Sequence, residues 1–167
     1  TFKLASLITA IEDGFVNISD TVDTKNGVVT YYGIPMHDTK EGGYGKISVK
    51  RAFELSSNVG ISKIISKNYS KNPQQFVDRI HGMKLNRPLG LEISGEGKPQ
   101  IKSPNDTINR WTGITLTQMS IGYEVLLTPM QILSFYNAVA NNGRMVKPQF
   151  VSHLGKNGKV VKEFQTE

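Results

Sequence analysis

No cysteine occurs in the 167 residues of the chain, which removes disulfide frameworks, thiolate metal sites and a cysteine nucleophile together. The compartment stays open, because exported domains can also do without cysteine. Long apolar runs are missing as well: none approaches the roughly 18 residues that span a bilayer, and no basic-then-apolar leader opens the sequence. Histidine is sparse. His37, His81 and His153 lie far apart, with no second histidine near any of them, so a metal centre is not expected. The glycine-rich stretch 41–46 has neither the spacing nor the strand-to-helix setting of a phosphate-binding loop. No Gly-x-Ser-x-Gly elbow is present to serve a Ser-His-Asp triad. No cofactor is expected.

What remains is an ordinary globular composition. With 38% hydrophobic residues, the chain has material for one core and one domain. The formal charge of +6 is unevenly spread: residues 40–90 hold ten Lys or Arg against three acids, Glu41, Glu54 and Asp78, a local +7 that leaves −1 elsewhere. Such a stretch reads either as a face that attracts an anionic partner or as a solvated helical surface. No Arg-rich run and no interleaved aromatics accompany the lysines, so the solvated surface is expected and a nucleic-acid partner is not.

Apolar spacing supplies the elements. Leu4, Leu7, Ile8 and Ile11 recur at helical period, predicting a helix over 1–13 that stops at Gly14, where a left-handed cap is cheap. From Thr21 to Lys46, Val28, Val29, Tyr31 and Tyr32 alternate with Pro35 and Gly42-Gly43, which predicts a short hairpin or irregular excursion outside the core. Ser48 opens a helix with Val49, Ala52, Phe53 and Leu55 on one face, and a second follows through Val59, Ile61, Ile64 and Ile65. Asn72-Pro73 opens a third, with Phe76, Val77 and Ile80 inward and an end near His81-Gly82. Residues 84–110 read mostly as loop, and 111–119 as a short helix. Thr128-Pro129 caps a longer helix in which Ile132, Phe135, Tyr136, Val139 and Ala140 keep the period until Asn142-Gly143. Segments 150–154 and 160–164 flank a Lys156-Asn157-Gly158-Lys159 turn, a strong hairpin signal. The fold class is therefore mostly α with small β elements and a C-terminal β-hairpin.

The triplet Ser-x-Asn occurs four times, at Ser56 to Asn58, Ser66 to Asn68, Ser70 to Asn72 and Ser103 to Asn105. The letters alone carry nothing; the setting separates the copies. Ser66 and Ser70 lie in a lysine-rich surface segment, and Ser103 has Pro104 inside its triplet. Ser56, Ser57 and Asn58 alone break two apolar helices, where polar groups are held rigidly. The plainer alternative is that Ser56 or Ser57 simply N-caps the second helix.

Thr1-Phe2-Lys3-Leu4-Ala5, Ser56-Ser57-Asn58-Val59-Gly60, and Ser120-Ile121-Gly122-Tyr123 with Thr128-Pro129-Met130-Gln131-Ile132 fall in the order and approximate spacing seen in penicillin-binding proteins. Over nearly its whole length the chain resembles the transpeptidase domain of the monofunctional class B, cell-division and elongation type. There a Ser-x-x-Lys helix, a Ser-x-Asn turn and a Lys-Thr-Gly strand converge on one cleft. The resemblance implies the helical part of the serine D,D-peptidase, β-lactamase-like fold, with 1–167 as a partial domain. Lys3 matches the motif lysine, so the nucleophilic serine is expected directly before Thr1 and the Lys-Thr-Gly strand shortly after Glu167. The residue after Tyr123, often small in such proteins, is Glu124 here.

The activity so implied is peptidoglycan cross-linking through a serine acyl-enzyme, with β-lactams acylating the same serine. Lys3 is the expected base, and Ser56 passes a proton to the leaving amine. Asn58 holds Lys3 with its carbonyl and a substrate amide with its NH2. Stem peptides and β-lactams are the expected ligands of the intact domain, and other cell-wall synthesis proteins its partners. The expected location is the extracytoplasmic face of a bacterial inner membrane, with an anchoring helix outside this chain and no membrane contact by the segment itself. Without serine and strand the 167 residues are expected to be inert. A β-lactam-sensing receptor or a serine β-lactamase shares the same implied architecture.

Overall fold

The computed structural model describes residues 2–165. The chain divides into two units, Thr1–Gly82 with Ile101–Val125 and Met83–Gln100 with Leu126–Glu167.

In the first unit, α1 (Lys3–Glu12) buries Ala5, Leu7 and Ala10 together with the polar Ser6 and Thr9. It stops as the sequence foretells: Gly14 takes φ +71°, and the N–H groups of Gly14 and Phe15 donate back to the carbonyls of Ile11 and Ala10, a Schellman closure. Strands β1 (Thr21–Asp23), β2 (Val28–Tyr31), β3 (Ile34–His37) and β4 (Lys46–Ser48) follow as two antiparallel pairs, β1 with β4 and β2 with β3. The excursion is not outside the core. Met36 and Thr24 are buried, and the Tyr31 hydroxyl lies 3.2 Å from the Ser62 hydroxyl. Two glycines hold this segment together: a Cβ on Gly43 would stand 2.1 Å from the Gly27 nitrogen, so the two backbones meet where no side chain fits.

Helix α2 (Val49–Glu54) is capped by Ser48, whose hydroxyl accepts from the Arg51 N–H. It buries Val49 and Ala52 while Phe53 is exposed, so the inward face is narrower than the four expected apolar positions. Helix α3 (Asn58–Tyr69) is the hub and buries Val59, Ile61, Ile64, Ile65 and Tyr69. Gly60 permits the close approach of α2, since a Cβ there would meet the Ala52 methyl at 3.0 Å. Helix α4 (Pro73–Gly82) packs with Phe76, Val77 and Ile80 fully buried. Helices α1, α3 and α4 are joined through Asp13: its carboxylate accepts from the Tyr69 hydroxyl at 2.7 Å and Gln75 Nε2 at 3.1 Å, and it pairs with Arg79. Helix α5 (Thr115–Ile121) begins later than the expected 111–119. Gly113 lies against the Tyr32 ring, where a Cβ would approach to 2.6 Å, and the Thr112 N–H donates to the Thr115 hydroxyl instead of entering a helix.

Two-residue strands β5 (Gln100–Ile101) and β6 (Val125–Leu126) stand where the chain passes between units. In the second unit, Glu96 organises the loop by accepting from the N–H groups of Leu89, Gly90 and Leu91. Helix α6 (Pro129–Ala140) carries a full capping box, Thr128 with Gln131. Its buried face is Gln131, Ser134, Phe135 and Ala138, whereas Val139 is exposed and Ile132 and Tyr136 are only half-buried. The apolar period therefore points about one position away from the face that packs. Gln131 fixes the choice, because its amide also donates to the Arg87 carbonyl at 2.9 Å. The hairpin β7 (His153–Lys156) and β8 (Lys159–Glu163) turns at Asn157 and Gly158, with φ +50° and +74°, the left-handed pair a two-residue turn demands.

Candidate active site

The Ser56–Asn58 turn is two helix ends superposed. Ser56 is the left-handed residue closing α2, with φ +53°: its N–H donates to the Phe53 carbonyl at 2.9 Å, and the Ser57 N–H to the Ala52 carbonyl at 2.8 Å. Glycine ordinarily takes that place, since a side chain there costs about 1–2 kcal/mol. One residue later Ser57 is already the N-cap of α3, its Oγ accepting from the Gly60 N–H at 2.8 Å. The plain capping reading thus holds for Ser57 and leaves Ser56 and Asn58 on either side. Ser57 is buried and Ser56 exposed.

Helix α1 brings Lys3 to this turn across 53 residues. Its Nζ donates to the Ser56 carbonyl at 2.5 Å and to Ser56 Oγ at 2.9 Å. Lys3 is 8% exposed, unlike the solvated lysine common at a helix end. Burial pushes its ammonium below the usual lysine range, and the Asp38 carboxylate opposes that by attraction. Asn58 sits in the first turn of α3 and is half-buried, and its Nδ2 donates to the His37 carbonyl at 2.9 Å. The described hydrogen bonds of Lys3 run to Ser56, not to the Asn58 carbonyl as expected.

Asp38 is the residue the sequence did not reveal. It stands just past β3, accepts from Ser57 Oγ at 2.9 and 3.0 Å, and accepts the Val59 N–H at 3.0 Å. Nothing local announces these contacts, which span 19 and 21 residues. On the other side, the Ser120-Ile121-Gly122-Tyr123 segment ends α5 in a third Schellman closure. Gly122 has φ +105°, and a Cβ there would press on Phe2 at 3.2 Å. The Ser6 hydroxyl donates to the Ser120 carbonyl at 2.8 Å and ties α5 to α1. Glu124 takes φ +62° and pairs with Lys102. Among the described residues no group of three or more His, Cys, Asp or Glu gathers in a way that could hold a metal ion.

A family model described as the penicillin binding protein transpeptidase domain matches residues 1–166. The chain belongs to the penicillin-binding protein transpeptidase family. Among the relatives of this transpeptidase chain are penicillin-binding protein PbpB of Mycobacterium tuberculosis, 26% identical over 149 residues, 89% of this chain and 21% of the relative. Peptidoglycan D,D-transpeptidase FtsI of Escherichia coli K12 is 26% identical over 144 residues, 86% of this chain and 22% of the relative. The chain thus spans about a fifth of the length of these curated relatives. In fold it is similar to the crystal structure of penicillin-binding protein 3 from Mycobacterium tuberculosis, with a TM-score of 0.78 at 23% identity, over 99% of this chain and 36% of that one. The same relative has been solved with ampicillin and with aztreonam. The transpeptidase fold agrees with the expected class of helices with small β elements.

Proposed function

We propose that residues 1–167 are part of one transpeptidase domain that cross-links peptidoglycan stem peptides through a serine acyl-enzyme and is acylated by β-lactams. Lys3 is the lysine of the Ser-x-x-Lys motif, and Ser56 and Asn58 are the Ser-x-Asn pair. The observation that carries the reading is the buried Lys3 ammonium, 2.9 Å from the Ser56 hydroxyl and pushed below the ordinary lysine range. A lysine so placed reaches its neutral form more readily and can act as a base.

The residue three positions before Lys3 lies ahead of Thr1, outside the sequence; a serine there is the nucleophile of this reading. Its oxygen attacks the carbonyl of the penultimate D-Ala while Lys3 takes its proton. The C–N bond to the terminal D-Ala then breaks, and Ser56 relays a proton to the departing amine. The amine of a second stem peptide attacks the ester, restores the serine and closes the cross-link. Asn58 offers the remaining hydrogen of its amide to the peptide backbone of the substrate. The reading places the domain on the extracytoplasmic face of a bacterial inner membrane, held by a segment outside this chain and working beside other cell-wall synthesis proteins.

A fluorescent penicillin tests it. The 167-residue chain, which holds no serine at the required place, is expected to stay unlabelled, and the full-length protein to label stably. Ser56→Ala or Asn58→Ala in the full-length protein is expected to slow acylation on the order of a hundredfold. Covalent labelling of the 167 residues alone would contradict the assignment of the nucleophile, and rapid deacylation would make the protein a β-lactamase instead.

A further inference from the structure

We propose that Asp38 is a positioning residue of the acyl-transfer site, gripping the Ser-x-Asn turn from below and supplying the counter-charge to Lys3. The inference rests on the transpeptidase reading and assigns a residue outside its three motifs.

The grip is built from two consecutive residues. The His37 carbonyl accepts from Asn58 Nδ2 at 2.9 Å, the Asp38 carboxylate accepts from Ser57 Oγ, and Asp38 Oδ1 takes the Val59 N–H at 3.0 Å. Residues 57, 58 and 59 are thus each held from the end of β3. The hydroxyl of Ser57 passes the hold onward, donating to Asp38 while accepting from the Gly60 N–H. Two of the open N–H groups at the start of α3 are satisfied this way, and a carboxylate at a helix N-terminus also meets the favourable end of the dipole. Ser56, in its left-handed conformation directly before this clamp, has its carbonyl and hydroxyl aimed at Lys3. Asp38 is itself fixed, its N–H donating to the Gly27 carbonyl at 2.8 Å, beside the glycine contact that admits no side chain.

Among the described residues, Asp38 is the charged group whose attraction favours the Lys3 ammonium against its burial. Helix α5, packed on α1, carries no titratable side chain. On α3, Lys63 donates to the Asp23 carbonyl, Lys67 is exposed, and Tyr69 donates to Asp13. On α4, Asp78 accepts from Gln74, Arg79 pairs with Asp13 at the far end of α1, and His81 follows it. On α1 itself the remaining acid is Glu12, at the helix's other end.

The test is the pH profile of acylation of the full-length protein by a fluorescent penicillin, alongside thermal unfolding. Asp38→Asn keeps the shape and the acceptor but loses the charge. Its rate is expected to fall about tenfold or more, and its acid limb to move to lower pH, because Lys3 loses the attraction that favours its ammonium. Ser57→Ala keeps the charge and cuts the grip; the rate is expected to fall with the acid limb unmoved. An Asp38→Asn protein with the parent's rate and profile overturns the proposal. So does a lowered rate with an unmoved limb, or loss of the fold in this near-isosteric variant, since either assigns Asp38 to structure alone. If the unaltered protein is not acylated, or Lys3→Ala is acylated at the parent rate, the transpeptidase reading itself fails, which is a separate result.

Discussion

Ser56 is held in a conformation that favours glycine. Its φ of +53° places it with Gly14, Gly122 and Asn142 among the left-handed residues that follow helices in this chain, and two of those three are glycine, the residue such a place selects. A hydroxyl-bearing residue persists there at a conformational cost of about 1–2 kcal/mol, the pattern expected where strain and function coincide. Ser56→Gly is therefore expected to raise stability by about 1 kcal/mol in denaturant unfolding. In the full-length protein the same substitution is expected to depress acylation, because Lys3 loses its hydroxyl partner. A variant that gains no stability, or keeps full acylation, would separate strain from function at this position.

At the scale of elements, the junction of α1, α3 and α4 depends on one carboxylate. Burial pushes the Asp13 carboxyl up, but hydrogen bonds from Tyr69, Arg79 and Gln75 and the charge of Arg79 outweigh it, leaving it below the usual carboxylate range. A folded-state value below the unfolded one means that the unfolded chain binds protons first as pH falls. The stabilisation is therefore complete above the ordinary aspartate range and disappears as pH falls through the folded value. Asp13→Ala is expected to cost about 2–3 kcal/mol at neutral pH, and the gap to the parent to shrink on acidification through that range, read by urea unfolding at a series of pH values. Several helix ends were legible from the sequence because caps are local: Ser48, Ser57, Thr128 and Gly14 all act within a few residues. The inward face of α6 was not, since Ser134 and Gln131 displaced the apolar Val139 from burial through packing and a bond to Arg87 that no periodicity records. Lys3 and Ser56 could be nominated from motifs, but Asp38 depends on a fold-back across 19 residues, which leaves no mark in local composition.

For the whole molecule, surface chemistry is set by charge on one stretch and apolar exposure on another. Within the basic stretch, Lys50 and Arg51 pair with Glu54 along α2 and Lys63 binds a carbonyl. The hairpin β7–β8 is exposed along its length, with Val160 61% and Val161 68% accessible. Successive strand residues point to opposite faces, so both faces of this ribbon present valine. Exposed apolar strands invite edge pairing and association. The 167-residue chain is expected to self-associate with rising concentration, and Val160→Lys with Val161→Lys to return it towards monomer, as followed by light scattering. Equal association of parent and variant would place the sticky surface elsewhere.

The meeting of Gly27 and Gly43 gives this domain a mechanical stop. With no side chain between them, the two backbones seat against each other like a latch, and the strand that ends just before Asp38 inherits its position from that seat. A single added methyl group at Gly43, which lies against Gly27, Asn26 and Lys25, would act as a shim, lifting the latch and displacing the arm that carries Asp38. Tolerance at the Ser56–Asn58 turn is thus set by fit at a place with no chemistry of its own, and errors there are passed on as geometry rather than as lost bonds.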